Sequence, residues 1–467
     1  MVDHRPWRLI SHALANCPQT EATAMPGTEP PAAEYREGAA LLRTGAGFFR
    51  PESRPARDLG VLLALDLANR GPLRVLDAMA GCGIRSLRYG LEAGACQLWT
   101  NDADPDRLPW LRQNLAQLPA SLAWQCSSRT AQGLLASCLE RRQRFELVDL
   151  DAFGCPSALV PLALEAVAHG GVLYLNSSDG RSPTGHDRAA AVRRLGAAAR
   201  SHPAPWELAL RLQLGVLARA AWAQGRGLTP VLSFSDGRTF RTAVRLERRP
   251  QAREEAHLGL LAHCHRCGEQ WGQSLLRLDR WRECGCGPST PLAVSGPLWI
   301  GPLQHQGTLE RLRQLAEAAG PGWIEPASMR LLDRLALDAG LPVRCWSMAE
   351  LARQLGQGPP ARAALLRRLR QEGFQAHASA VMPAQLRCDA PWARILELAR
   401  DVISEGGASP VGPVGAASNP SSAEEGPPCD LPTADGPGPR VPNPDDAGGG
   451  ETVVDSALAS AARPGEA

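Results

Sequence analysis

The chain of 467 residues contains no lysine; all 50 of its basic side chains are arginine. The plain origin of such a bias is a GC-rich gene, yet it still excludes chemistry. Without lysine there is no Walker-type phosphate grip, no Schiff base and no lysine general base. Long apolar runs are missing too. None reaches the roughly 18 residues that span a bilayer, and the N-terminus carries no charged-then-apolar leader. No membrane association is expected, and the expected location is cytoplasmic. The 13 cysteines are odd in number and mostly scattered, so disulfides are not expected. Internal repeats are absent, and no sequence feature calls for a protein partner.

Charge is unevenly spread. From Ser404 to Ala467 there are ten acids against two arginines, a net of −8, so the preceding 403 residues carry +10 of the overall +2. A body charged by arginine alone suits a phosphate-rich partner, because the guanidinium grips phosphate as a fork. An ordinary solvated surface explains the same charge equally well.

Hydrophobic periodicity divides the chain into four segments. Residues 1–35 hold turn formers and read as a loose N-terminal arm. Residues 36–255 alternate strands and helices. Strand patterns at 73–76, 97–100, 145–150 and 172–176 are interleaved with helical patterns at 85–91, 106–118 and 158–169. A long helix at 206–224 and a β-hairpin at 231–246 follow. That alternation predicts an α/β fold with a mostly parallel, doubly wound, Rossmann-like sheet. Residues 256–403 read as a smaller α+β domain. It has helices near 309–319 and 327–339 and a winged-helix-like outline: helices at 348–355 and 360–372, then a hairpin arm at 374–381. Residues 404–467 are rich in Gly, Pro, Ser and acids and read as a disordered acidic tail.

Two motifs in the α/β segment carry chemistry. Asp77-x-x-x-Gly81-x-Gly83 follows a strand and precedes a helix, so its glycines let backbone approach a ligand at a helix N-terminus. The next strand ends in Asn101-Asp102, where an acid can hold both ribose hydroxyls. NAD and S-adenosylmethionine both fit that pattern. The single-gap loop and the second motif favour the latter. That motif is Asp151-Ala152-Phe153-Gly154, at the end of an apolar strand. There a carboxylate can take the N–H of a planar amine while the ring covers its face. The competing reading makes Asp151 a helix cap and Phe153 a core residue.

In the second segment, Cys264-His265-Arg266-Cys267 and Cys284-Gly285-Cys286 form two close thiolate pairs. They suit a structural four-cysteine Zn2+ site, with His263 or His265 as substitutes; buried free thiols are the alternative. A catalytic zinc is not expected, because four thiolates leave no open position. The arginines of 362–370 could bind phosphate or simply face water.

These motifs, in this order, resemble the tRNA (guanine-26 N2)-dimethyltransferases, a family of class I S-adenosylmethionine-dependent methyltransferases. The resemblance is carried by Phe48-Phe49-Arg50-Pro51 before Arg57-Asp58-Leu59, by the segment from Leu76 to Tyr89, by Val148 to Pro156, and by Gly296 to Leu303. It runs from about residue 36 to 400. It implies that Phe48 stacks with Phe153 in the active-site pocket and that Asp151 is the catalytic carboxylate. It further implies that Arg57 and Arg85 touch the cofactor, that Asp102 binds its ribose, and that Thr130-Ala131 lies against the adenine amine. The substrate so implied is the N2 amine of guanine at or near position 26 of tRNA, taking one or two methyls, with the zinc-bearing domain helping to grip the RNA. Beside Phe49, which stands for a tyrosine, two positions depart from the family: Ala152 stands for proline, and Thr130 for aspartate. They keep open a catalytically weakened tRNA-binding protein, beside an amino-methyltransferase acting on DNA adenine or another substrate.

Overall fold

A hairpin of strands β1 (Glu34–Glu37) and β2 (Ala40–Arg43) opens the structure, a computed structural model that describes residues 34–44, 49–287, 289–320, 322–338, 340 and 342–406. The expected acidic tail lies outside the described residues apart from its first three positions. The expected arm does too, except that Glu34 and Tyr35 belong to β1. Helix α1 (Arg54–Ala68) follows the hairpin. Strands and helices then alternate: β3 (Arg74–Asp77), α2 (Ile84–Glu92), β4 (Gln97–Asp102), α3 (Leu108–Leu115), β5 (Ala123–Ser128), α4 (Ala131–Glu140), β6 (Phe145–Asp151), α5 (Val160–Ala166) and β7 (Val167–Ser177). Helices α6 (Arg188–Leu195) and α7 (Pro205–Ala223) lead to the hairpin of β8 (Gly227–Ser235) and β9 (Phe240–Glu247).

These strands form one seven-stranded sheet in the order β5-β4-β3-β6-β7-β9-β8. The first five are parallel, and β9 runs antiparallel to both of its neighbours. This is the Rossmann-like sheet the alternation predicts. Its central strands are apolar on both sides because helices cover both faces. Chain order reverses between β3 and β6, so their C-terminal ends flank the crevice where such sheets bind ligands.

The boundary between α5 and β7 differs from the periodicity. Helix α5 ends at Ala166, and β7 already begins at Val167, opposite Phe145, before the register shifts and Val172 pairs with Leu147. The branched Val167 is fully buried and serves the sheet, which overrides the helical pattern of the surrounding alanines.

Beyond the sheet lie β10 (Leu258–His263), β11 (Gln270–Ser274) and β12 (Ala293–Trp299), then α8 (Gln306–Ala318) and α9 (Pro326–Leu337). Leu309, Leu312, Leu331 and Leu332 join Val75, Leu98 and Val231 in one buried cluster, so α8 and α9 help cover the α1 side of the large sheet. The chain ends with β13 (Cys345–Ser347), α10 (Met348–Leu355), α11 (Arg362–Gln371), β14 (Ala376–Ala378), β15 (Gln385–Cys388) and α12 (Trp392–Gly406). Two helices followed by a hairpin, with β13 completing a β13-β15-β14 sheet, give the winged-helix-like segment its core around Trp346, Leu365 and Leu386. The hairpin reaches Cys388, further than the pattern at 374–381 suggests. Among the described residues, no helix is long and apolar enough to cross a membrane.

Candidate active site

A cavity of about 510 Å³ opens at the C-terminal ends of β3, β4, β6 and β7. Its wall includes Arg57, Gly81, Arg85, Asp102, Ala131, Asp151 and Phe153, seven of the residues singled out by sequence. Phe48 lies outside the described residues; its neighbour Phe49 lines the cavity.

The loop residues from Ala78 to Cys82, between Asp77 and Gly83, form the floor. Gly81 adopts φ +58°, and a Cβ there would meet nothing within 4 Å, so the loop leaves open space for a ligand. Gly83 adopts φ +83° at the start of α2, and a Cβ there would stand 2.8 Å from the Leu111 side chain. Gly83 therefore serves packing and is not part of the cavity wall. Asp102 faces the cavity and accepts hydrogen bonds from the backbone N–H groups of Gly81 (2.8 Å) and Asp104 (3.0 Å). A carboxylate fixed beside an open glycine loop fits a cofactor bearing a ribose.

Asp77 stands elsewhere. It is fully buried beneath the loop, accepts the Ser86 hydroxyl (2.7 Å) and does not line the cavity. It lies in register with Asp149 on β6. Burial, then the charge of Asp149, pushes the Asp77 carboxyl up to about 8. Thr130 is the N-cap of α4, its hydroxyl accepting from the Gly133 N–H (3.2 Å), while Ala131 reaches the cavity.

Arg57 and Arg85 reach the cavity already engaged. Arg57 is buried against Glu37 (2.8 and 2.6 Å), donates to the carbonyls of Arg50 and Pro51, and lies 5.0 Å from the Phe49 ring. It thereby shapes the loop at the cavity mouth. Arg85 donates to Asp151 Oδ2 (2.6 Å) and contacts Asp149 (3.5 Å), whose other contact is the Tyr89 hydroxyl (2.6 Å).

Asp151 ends β6 with its side chain 28% exposed. Its Oδ1 accepts from Asn176 Nδ2 (2.7 Å) and Arg241 Nη2 (2.8 Å). Burial opposes its charge, but Arg241, Arg85 and the Asn176 amide overcome this and hold the carboxyl down at about 2. Asp151 is therefore a permanent carboxylate and an acceptor. Phe153 projects with 76% of its surface exposed. The stretch between them is held without a proline. The Gly154 N–H donates to Ser178 Oγ (2.7 Å), and its carbonyl accepts from Ser178 N (3.1 Å) and Ser177 Oγ (3.0 Å). Asn176, Ser178 and Arg241 are cavity residues that sequence reasoning missed. Asn176-Ser177-Ser178 directly after an apolar strand was the signal for the first two. Nothing marked Arg241 among the many arginines.

A second cluster lies apart. The sulfurs of Cys264, Cys267, Cys284 and Cys286 all lie within 4.8 Å of one another, with Cys264 3.5 Å from Cys284 and 4.0 Å from Cys286. Four thiolates around zinc at ~2.3 Å stand about 3.8 Å apart, so the set could hold such a metal. His263 and His265 are not members of the group. The turn around Cys267 is tied to the winged helix: Trp346 Nε1 donates to the Gly268 carbonyl (2.8 Å) and Trp392 Nε1 to that of Cys267 (2.5 Å). The two indoles stack at 5.0 Å.

A family model described as N2,N2-dimethylguanosine tRNA methyltransferase matches residues 32–400. A tRNA (guanine(26)-N(2))-dimethyltransferase of Methanosphaerula palustris is 31% identical over 351 residues, covering 74% of this chain and 89% of that protein. The enzyme of the same description from Thermococcus kodakarensis is 28% identical over 371 residues, covering 76% and 93%. The solved complex of Trm1 from Pyrococcus horikoshii with S-adenosyl-L-methionine superposes with a TM-score of 0.68. That match covers 78% of this chain and 99% of the other at 24% identity, a likeness of fold.

Proposed function

Because the chain belongs to the N2,N2-dimethylguanosine tRNA methyltransferase family, we propose that it transfers one or two methyl groups from S-adenosylmethionine to the N2 amine of guanine at position 26 of tRNA, in the cytoplasm. The observation that carries this reading is the ionised Asp151 beside exposed Phe153, in the cavity that also holds the open glycine loop and Asp102.

S-adenosylmethionine brings an electrophilic methyl on a sulfonium. Gly81, Asp102 and Ala131 would hold the cofactor, with Arg57 and Arg85 shaping the wall around it. Phe153 would cover one face of the guanine, and the resemblance assigns Phe48 a stacking role in the same pocket. Asp151 would accept one N–H of the amine and thereby aim the nitrogen lone pair. As nitrogen gains the methyl it becomes cationic and its remaining N–H strongly acidic. Even a carboxylate held near 2 can then take the proton and pass it to water. The four cysteines are proposed to bind a structural zinc, and residues 256–403 to grip the tRNA, with the arginine face of α11 as one contact.

Incubating the protein with labelled S-adenosylmethionine and an unmodified tRNA transcript tests this reading. The expected products are N2-methyl- and N2,N2-dimethylguanosine, absent when guanine 26 is replaced by adenine. Transfer to DNA in place of tRNA, or binding without transfer, would contradict it.

A further inference from the structure

Asp151, Asn176 and Arg241 stand side by side on three adjacent strands, β6, β7 and β9, although Asn176 is 25 and Arg241 90 residues from Asp151 in sequence. We propose that Asn176 and Arg241 are positioning residues that occupy Asp151 Oδ1 and leave Oδ2 as the single oxygen that takes the target amine. The proposal rests on the reading that an amine is the substrate.

A carboxylate oxygen offers about two lone-pair sites. Oδ1 accepts from Asn176 Nδ2 and Arg241 Nη2 and is full. Among the described residues Oδ2 accepts only from Arg85 Nη2, which leaves one site open, on a side chain that faces the cavity. The two donors are otherwise underused. Arg241 is 3% exposed, and its Nε and Nη1 have no partner among the described residues. Asn176 is 4% exposed, and its Oδ1 likewise has none among them. Burying idle polar groups is costly and calls for a reason. The contact these two share is Asp151 Oδ1. The ring of Tyr174, 5.2 Å from the Arg241 guanidinium, keeps that side chain in place.

One open lone pair holds one N–H at a time. An unmodified guanine amine and a monomethylated one both present an N–H; a dimethylated one presents none. The open site can therefore hold the amine for the first and the second transfer alike, and it has no N–H to hold in the dimethylated product.

The groups facing Asp151 are Arg85 from α2, Asn176 and Tyr174 from β7, Arg241 from β9, Asp77 from β3 and Asp149 on its own strand. The test compares Arg241→Met and Asn176→Leu with the parent, and Arg241→Lys as rescue. Loss of orientation should lower kcat by about 100-fold while KM for tRNA and the affinity for S-adenosylmethionine stay within about threefold; Arg241→Lys should recover roughly tenfold. Full kcat in both variants, or a rise in KM alone, would overturn the proposal. A carboxyl-carbon NMR titration of the full chain, assigned with Asp151→Asn, needs no substrate. Asp151 should stay ionised in the parent over the folded pH range and take up a proton within it in Arg241→Met. Identical titrations would overturn the clamp even if the parent methylated nothing. A parent that fails on tRNA while the titrations differ would instead count against the proposed function.

Discussion

Asp151 and Asp77 are both carboxyls at strand ends, yet their surroundings drive them in opposite directions. Two arginines and an amide hold Asp151 down, which makes it a fixed acceptor and not a base poised near neutrality. Asp77 is pushed up by burial and by Asp149, so it folds as the neutral acid. Its folded pKa of about 8 lies above the unfolded value of about 3.9. The folded state therefore binds the extra proton between about pH 4 and 8, and stability falls as pH rises through that window. Asp77→Asn should remove that dependence. The melting temperature of the variant relative to the parent should climb steadily from pH 5 to pH 8. A difference that stays flat with pH would show Asp77 to be ionised when folded. Asp151 and Phe153 were legible because they are contiguous with the strand that presents them. Asn176 and Arg241 were not, because strand register and not chain proximity brings them to Asp151.

At the scale of elements, the cysteine turn and the winged helix form one piece. Trp346 and Trp392 stack on each other, and each donates its indole N–H to the turn that carries Cys267. Metal loss should therefore loosen more than the loop itself. Chelation, or Cys264→Ser, is expected to release about one zinc per chain and to lower the melting temperature, with Trp fluorescence changing together with metal content. Full thermal stability after complete metal removal would argue against a structural metal. The cysteine spacing made this site readable in sequence. The helical pattern at 158–169 misled because alanines suit a helix, whereas the pairing of Val167 with Phe145 is a tertiary fact.

At the scale of the molecule, buried charges join the large sheet's helices to the C-terminal elements. Glu207 on α7 binds Arg211 (2.8 Å) and lies 3.8 Å from Arg387 on β15, which binds Asp338 (2.7 Å) after α9. All four are essentially buried. Glu207→Gln would leave guanidinium charge without its carboxylate and should cost about 3–5 kcal/mol, read by denaturant unfolding. A loss under about 1 kcal/mol would mean the network is not coupled. Alternation of strands and helices foretold the large sheet, but not that α8 and α9 would return to cover it, since their leucine stripes do not say which face they meet. The frame is proposed to present Asp151 Oδ2 to a guanine amine beside a methyl donor. The most direct measurement is methyl transfer to tRNA by Asp151→Asn, with S-adenosylmethionine and tRNA binding measured in parallel. Binding should stay within about threefold of the parent while turnover falls roughly 10³-fold or more. Turnover within a few-fold of the parent would contradict that proposal.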